Sequence, residues 1–540
     1  MAMLLDGFVI LAYFVIVISI GLYKGRGDRT MEGFAVGDRN IPWWAVLASI
    51  LAAEISAATF LGAPGEGYAL RNFTYAQLAI GTIIARVIVS FVFIKPYYDY
   101  RVVSIYEFLN IRFGTRTKNG ASAVFLLTRA LASGTRLYVA AVVLVLGYEM
   151  LNPGQKLEPM QEVAIYVAAL AFLTAVTAVY TALGGIKAVV WTDVIQATIM
   201  WGSLGFAIWT LLHHIPGGWT TVKQTLTGAK DLSFWDSGKD LVAPPGATGM
   251  WAHIRGVLGA EYTVWAAFFG STFLTMATHG TDQDMVQRML TAKDHVRSRL
   301  ALILSGLADV PITMCFLLVG ILLWVFYQTP DKSNPFAFYI LHEMPAGVRG
   351  ILIAGIFATA MGSLSTALNA LATSFTEDWY MPYINPGASD RQVVRAARIS
   401  TVAFSILLVI IGSITAYAVI VLHSRVIPIV LGIFGYTYGS LLGVFLCGML
   451  TKSRGNNVGN ILAMIVGFIV VVILSGLHNK LWALIHRDEH AFLWKPDWLP
   501  VLEFPWWIAF GTIATFSVAV LFRTPEPQIE IARAHIREAA

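Results

Sequence analysis

The fold class this 540-residue chain predicts is an all-α polytopic membrane protein, and three observations carry it. Hydrophobic residues make up 57% of the chain and charged residues 13%, which leaves too little polar surface for a soluble domain of any size. Scanning for apolar runs of about 20 residues finds about thirteen of them, and two of the connections between them are long, His213 to Ala252 and Gly476 to Glu503. The third observation is the run from Ile41 to Gly67, IPWWAVLASILAAEISAATFLGAPGEG, which carries Glu54 mid-span and Gly62, Pro64, Gly65 and Gly67 beyond it. A helix interrupted in hydrocarbon must have its freed backbone groups satisfied by protein, water or a bound ligand. Broken helices near the bilayer midplane are where secondary transporters hold ions and substrate.

In chain order, the first span at 5–23 has no basic residue before it, carries Asp6, and is followed by Lys24, Arg26 and Arg29. A cleaved signal peptide has the opposite flank, so this span reads as a retained anchor. The interrupted run follows at 42–69, and then come 75–95 and 120–148. Spans at 162–182 and 188–212 flank the pair Gly184 and Gly185. The span at 257–280 contains Gly270, Ser271, Thr272, Thr275 and Thr278 and reads as a second broken helix. The span at 298–327 holds Pro311 beside Asp309, which predicts a kink next to a buried acid. The remaining spans are 349–376, 396–422, 426–450, 456–477 and 504–522.

With the N-terminus outside, an odd number of spans puts the C-terminus in the cytoplasm. About 22 Lys and Arg then fall inside and about 12 outside, as the positive-inside rule requires. The net charge of +5 reports this topology and calls for no nucleic-acid partner. The groups Lys24 to Arg39, Lys95 to Lys118, Arg288 to Arg299 and Arg391 to Arg398 read as cytoplasmic charge, and Arg86 as a snorkelling side chain. Cys315 and Cys447 both lie inside spans and indicate neither a disulfide framework nor a thiolate metal site.

Paired interrupted helices in corresponding positions of two halves mark inverted-repeat transporters. The broken runs at 42–69 and 257–280 stand five helices apart, so five plus five helices, one before them and two after them, account for the thirteen spans. The organisation expected is one membrane domain over 1–540: an extra helix at 5–23, a repeat core at 42–450, two extra helices at 456–522 and a cytoplasmic tail at 523–540.

Four places carry chemistry. In GILIAGIFATAMGSLSTALNALATSFTEDWY, Thr359, Ser363 and Thr366 share one helical stripe, with Ser365 beside it. Facing the carbonyls of a broken helix, such a stripe suits a hard cation such as Na⁺; it equally suits hydroxyls that back-bond to their own helix. Asp193 sits a few residues into a span, either facing a pathway or hydrated at the interface beside Lys187. Arg129 and Arg136 lie on one face of the fourth span, and Arg136 near the midplane would fork a substrate carboxylate or pair with Glu54 or Asp309. Glu54 reads as solute ligand, proton carrier or structural partner of an arginine.

The motifs YTALGGIKAVVWTDVIQ (Tyr180 to Gln196), TDQDMVQRMLTAKD (Thr281 to Asp294), SLSTALNALATSFTEDWY (Ser363 to Tyr380) and GSLLGVFLCGMLTKSRGNNVG (Gly439 to Gly459) resemble the sodium/solute symporter family over essentially the whole chain. The resemblance implies the leucine-transporter fold, Na⁺-driven uptake and alternating access. By the family's pattern, Ala52 and Ile55 would give backbone oxygens to the principal Na⁺ site, facing Thr359, Gly362 and the hydroxyl of Ser363. Gly362 departs from relatives that have serine there, so only its carbonyl can serve. Asp193, Ser365 and Thr366 match a second Na⁺ site of sialic-acid-type members. Ser56, Thr59 and Arg136 match that type's solute-binding positions, and Gln77 corresponds to a glutamine ligand on the next helix, whereas Glu54 fits no pattern well. A galactose-type site is not matched: VLGIFGYTYGS offers no glutamine and Thr278 replaces a gating tyrosine.

The expectation is therefore a Na⁺-coupled symporter in the plasma (inner) membrane, not an enzyme, importing a small organic solute that carries a carboxylate, such as a sialic acid or monocarboxylate. The alternatives are a Na⁺- or H⁺-coupled carrier of a neutral sugar, polyol or amino acid, a channel, or a membrane sensor. A sensor would need a cytoplasmic signalling domain, whereas about 18 residues follow Phe522.

Overall fold

In the computed structural model the described residues are all but 1, 26–29, 153–156, 229, 239–248, 330–333, 423–425, 487–493, 495–501 and 540. Among them every expected span has a helical counterpart, and no strand extends beyond an isolated bridge. In chain order the helices that matter are α1 (Ala2–Lys24), α2 (Trp43–Glu54), α3 (Ala57–Leu70), α4 (Leu78–Val92), α5 (Thr115–Leu151) and α6 (Pro159–His214). They continue as α7 (Thr272–Gly280), α8 (Gln283–Met289), α9 (His295–Tyr327), α10 (Val348–Phe375), α11 (Asp390–Ile420), α12 (Val426–Leu450), α13 (Asn457–Leu474) and α14 (Phe504–Ala519). By length and composition, eight helices among the described residues can each cross a membrane, and nine if α2 and α3, bent by 65°, form one span.

The chain divides into two compact units, each assembled from three segments. The first comprises Met1–Phe73, Arg129–Ser233 and Gln283–Val430. The second comprises Thr74–Thr128, Phe234–Asp282 and Leu431–Ala540.

In the first unit the interruption between α2 and α3 lies at Ile55 and Ser56, both in extended backbone, and not at the glycines further on. Ser56 starts α3 as its N-cap, its Oγ accepting the Thr59 N–H at 3.4 Å. Gly62, Pro64, Gly65 and Gly67 all lie inside α3. Of these, Gly67 lets α3 pack closely on α9: a Cβ on it would meet the Leu317 carbonyl at 2.2 Å, and one on Gly320 of α9 the Pro64 carbonyl at 1.9 Å, whereas Gly62 and Gly65 have open space around them.

The two spans expected at 162–182 and 188–212 form one 56-residue helical run, broken where Gly185 takes φ 53° and ψ −153°. That backbone state is open to glycine and closed to other residues, and a Cβ there would also strike the Phe34 carbonyl at 2.6 Å. Asp193 stands two turns beyond the break. Helix α10 is buried over nearly its whole length. Its N-terminus is capped by Asp6 of α1, whose Oδ1 accepts the N–H groups of Gly347 at 2.7 Å and Gly350 at 3.0 Å while Oδ2 takes the Arg349 guanidinium at 2.6 Å. Helix α1 is thus bolted to the start of α10. Asp309, expected buried beside Pro311, is only partly so, within a continuous α9.

In the second unit the run expected to break at 257–280 does so through a π-helical turn, Ala266–Ser271, ahead of α7. The hydroxyl of Thr82 on α4 lies 3.3 Å from those of Ser271 and Thr275. Arg112 caps the end of α12, donating to the carbonyls of Gly448 at 3.2 Å and Thr451 at 2.6 Å. Arg86, expected to snorkel, is fully buried.

Candidate ion and solute site

The site is assembled within the first unit, starting from the break. The Ile55 N–H closes on the Leu51 carbonyl at 3.3 Å, and Ser56 then turns extended. The carbonyls from Ala52 to Ile55 thereby lose the partner four residues on that an unbroken helix supplies. Glu54 is the last residue of α2 and half-buried, a carboxylate at the negative end of its own helix.

The hydroxyls of the α10 stripe lie within reach of carbonyls of their own helix, and that of Thr366 also bonds the Asp284 carboxyl. Thr359 Oγ1 donates to Ile356 at 2.8 Å, Ser363 Oγ to Thr359 at 3.0 Å, Ser365 Oγ to Gly362 at 3.1 Å and Thr366 Oγ1 to Ser363 at 2.8 Å. With its one proton committed, a hydroxyl can only accept elsewhere. Back-bonding and cation binding, competing readings of the sequence, are therefore compatible at Thr359, Ser363 and Ser365: the helix takes the protons and leaves the lone pairs.

Three oxygens from two helices, α2 and α6, converge at Gly362 of α10. A carbon added there would lie 3.0 Å from Gln196 Oε1, 3.3 Å from the Ala52 carbonyl and 3.6 Å from Asp193 Oδ1. Both side-chain oxygens are buried and neither accepts a hydrogen bond. Acceptors kept dry and unbonded are costly in themselves, but they are the donor set a hard cation takes.

The other oxygen of Asp193 is fully occupied. Oδ2 accepts from Ser49 Oγ at 2.5 Å and faces Arg288 Nη2 at 3.4 Å, both Asp193 and Arg288 being fully buried. Arg288 also donates to Ser49 Oγ at 2.9 Å and to Asp284 Oδ1 at 2.8 Å, and Arg129 meets Asp284 Oδ2 at 3.0 Å. Burial alone would push the Asp284 carboxyl up, but the two guanidinium groups hold it below the usual carboxylate value. This chain of charge corrects two expectations. Asp193 is not hydrated beside Lys187, which pairs with Asp38 at 2.6 Å. Arg288 is an interior residue on α8, facing the core, and no part of a solvated loop.

Of the expected solute ligands, Ser56 is buried and Thr59 partly so, their hydroxyls 3.5 Å apart on the first turn of α3. Arg136 is half-buried on the part of α5 that belongs to this unit. Gln77 belongs to the second unit, where its carboxamide donates to Thr74 O at 3.1 Å and Tyr262 O at 3.4 Å and accepts from Asp236 N at 3.1 Å. Sequence reasoning passed over Ser49, Gln196 and Arg288. Gln196 stands in the same motif as Asp193, one turn on, and Arg288 stands i, i+4 from Asp284. Those two spacings are the signal by which they could have been found.

Comparison with known proteins gives a match to the sodium:solute symporter family model over residues 34–467. The sodium/sialic acid symporter SiaT of Proteus mirabilis (strain HI4320) is 25% identical over 86% of this chain and 88% of its own length. Human sodium-coupled monocarboxylate transporter 1 is 26% identical over 84% of this chain and 70% of its own. The sodium/glucose cotransporter of Vibrio parahaemolyticus is 26% identical over 84% and 83%. Among solved structures, that of a Na⁺-coupled sialic acid symporter in a substrate-bound outward-open state superposes with a TM-score of 0.75 at 22% identity, covering 96% of this chain and 97% of the other.

Proposed function

Because the chain belongs to the sodium:solute symporter family and is a Na⁺-coupled membrane transporter of the leucine-transporter fold, we propose that its Na⁺ binds where the break after α2 faces α10 and α6, and that the solute is a small carboxylate. The observation that carries the ion site is the convergence at Gly362 of the Ala52 carbonyl with the unbonded oxygens of Asp193 and Gln196. Ala52 and Ile55 offer carbonyls freed by the break, and Thr359, Ser363, Ser365 and Thr366 offer lone pairs from α10. A cation there ties α2 to α10 and α6, fixing the bend of the broken helix before solute arrives. Ion and solute then strengthen each other's binding by a coupling of about 1 to 3 kcal/mol.

Ser56 and Thr59 open α3 with hydroxyls at the break, next in sequence to the ion's carbonyls, and Arg136 is the half-buried cation for a carboxylate. Two of the relatives carry carboxylates by name, a sialic acid and monocarboxylates. The N-terminus lies outside and the C-terminus in the cytoplasm, as the distribution of Lys and Arg supports.

The test is uptake into proteoliposomes under a Na⁺ gradient, with sialic acid, a monocarboxylate and a neutral sugar compared. Wild type is expected to accumulate a carboxylate, and Arg136→Ala to lose it. Carboxylate affinity retained in that variant would remove Arg136 from the solute site.

A further inference from the structure

Helix α1 lies outside the paired repeats, yet it reaches the ion-binding region through one side chain. Tyr13 is 3% exposed, between α6 and α10. Its hydroxyl donates to Met361 Sδ at 3.5 Å and accepts from Gln196 Nε2 at 3.5 Å. Met361 immediately precedes Gly362, and its carbonyl accepts from Tyr180 OH at 3.4 Å. A carboxamide has a donor end and an acceptor end, so fixing one fixes the other. With its N–H directed at Tyr13, Gln196 turns Oε1 toward Gly362 and the Ala52 carbonyl, where that oxygen is buried and accepts no hydrogen bond.

We propose that Tyr13 is a positioning residue for Na⁺: from the helix outside the repeats it orients Gln196 so that Oε1 serves the ion beside Ala52 and Asp193. This rests on the ion site proposed above. The chemistry requires the hydroxyl and not merely the ring, because only an oxygen can accept the amide N–H. Without it the carboxamide keeps only its contact with the Tyr180 hydroxyl and is held less firmly, and its N–H, which repels a cation, competes for the place of its oxygen. Helix α1 is in this way part of the ion-coupling apparatus. Its Asp6 fixes the start of α10, and its Tyr13 fixes the side chain facing the middle of that helix.

The experiment is a Na⁺ titration of the thermal stability of the purified full chain, with choline replacing Na⁺, for wild type, Tyr13→Phe, Gln196→Leu, the double variant and Ser363→Ala. Tyr13→Phe is expected to raise the half-saturating Na⁺ about two- to tenfold, the scale of one net hydrogen bond. Gln196→Leu should raise it at least as much, and the double variant no further than Gln196→Leu alone, because the two residues act through one oxygen. A purely structural Tyr13 would lower the melting temperature at every Na⁺ concentration and leave the half-saturating value unmoved. That result, with Ser363→Ala shifted, overturns the role of Tyr13 and leaves the ion site standing. If neither Ser363→Ala nor Tyr13→Phe shifts the titration, both the ion site and this inference are wrong.

Discussion

Placing a single methyl at Gly362 is the sharpest perturbation the geometry allows. In Gly362→Ala the added carbon would sit 3.0 Å from Gln196 Oε1 and 3.3 Å from the Ala52 carbonyl, closer than comfortable van der Waals contact, and 3.6 Å from Asp193 Oδ1. An ion coordinated by those oxygens and the methyl cannot share that point. Helix α10 itself has no objection to alanine, which is a better helix former than glycine by about 1 kcal/mol. The damage should therefore fall on the ion and not on the fold. Losing a Na⁺–solute coupling of about 1 to 3 kcal/mol corresponds to about 5- to 150-fold in the Na⁺ needed for half-maximal uptake. Gly362→Ser introduces the same carbon but adds an oxygen, so it should be milder than alanine. The assay is solute uptake into proteoliposomes as external Na⁺ is varied at constant ionic strength. Wild-type Na⁺ dependence in Gly362→Ala would refute the convergence as an ion site.

Replacing Arg288 by Met removes the positive charge that Asp193, Asp284 and Ser49 share in the interior. Breaking a buried pair from one side costs about 3 to 5 kcal/mol, so Arg288→Met should melt well below wild type in detergent, and adding Asp193→Asn should recover part of the loss; a wild-type melting curve for the single variant would dismiss the network. Gly185→Ala meets both a positive φ and the Phe34 carbonyl at 2.6 Å, so it should lower folded yield in size-exclusion chromatography, and an undiminished monodisperse peak would count against the break in α6.

Much of the fold was legible because the spans are long and apolar, and the break in α6 announced itself as a glycine pair between two runs. The break after α2 was legible as a fact and misread in cause. Glycine and proline drew attention to Gly62–Gly67, where Pro64 and Gly67 lie close against α9, while the chain turns at Ile55 and Ser56, where a serine cap is a quieter signal. Within the site, Asp193 and the α10 hydroxyls stand out by charge or by helical spacing. Arg288 does not, since a basic residue in a charged connection between spans looks solvated until tertiary packing encloses it. Tyr13 is harder still: within an apolar first span, a tyrosine is indistinguishable from packing. Nothing local shows that its hydroxyl meets a carboxamide 183 residues away.

Direct binding of radioactive Na⁺ to the purified protein, without solute, tests the central claim most closely, because it isolates the ion site from every later step of transport. The account predicts saturable binding in wild type that weakens in both Ser363→Ala and Gly362→Ala. Equal Na⁺ binding in all three would place the ion elsewhere and contradict it.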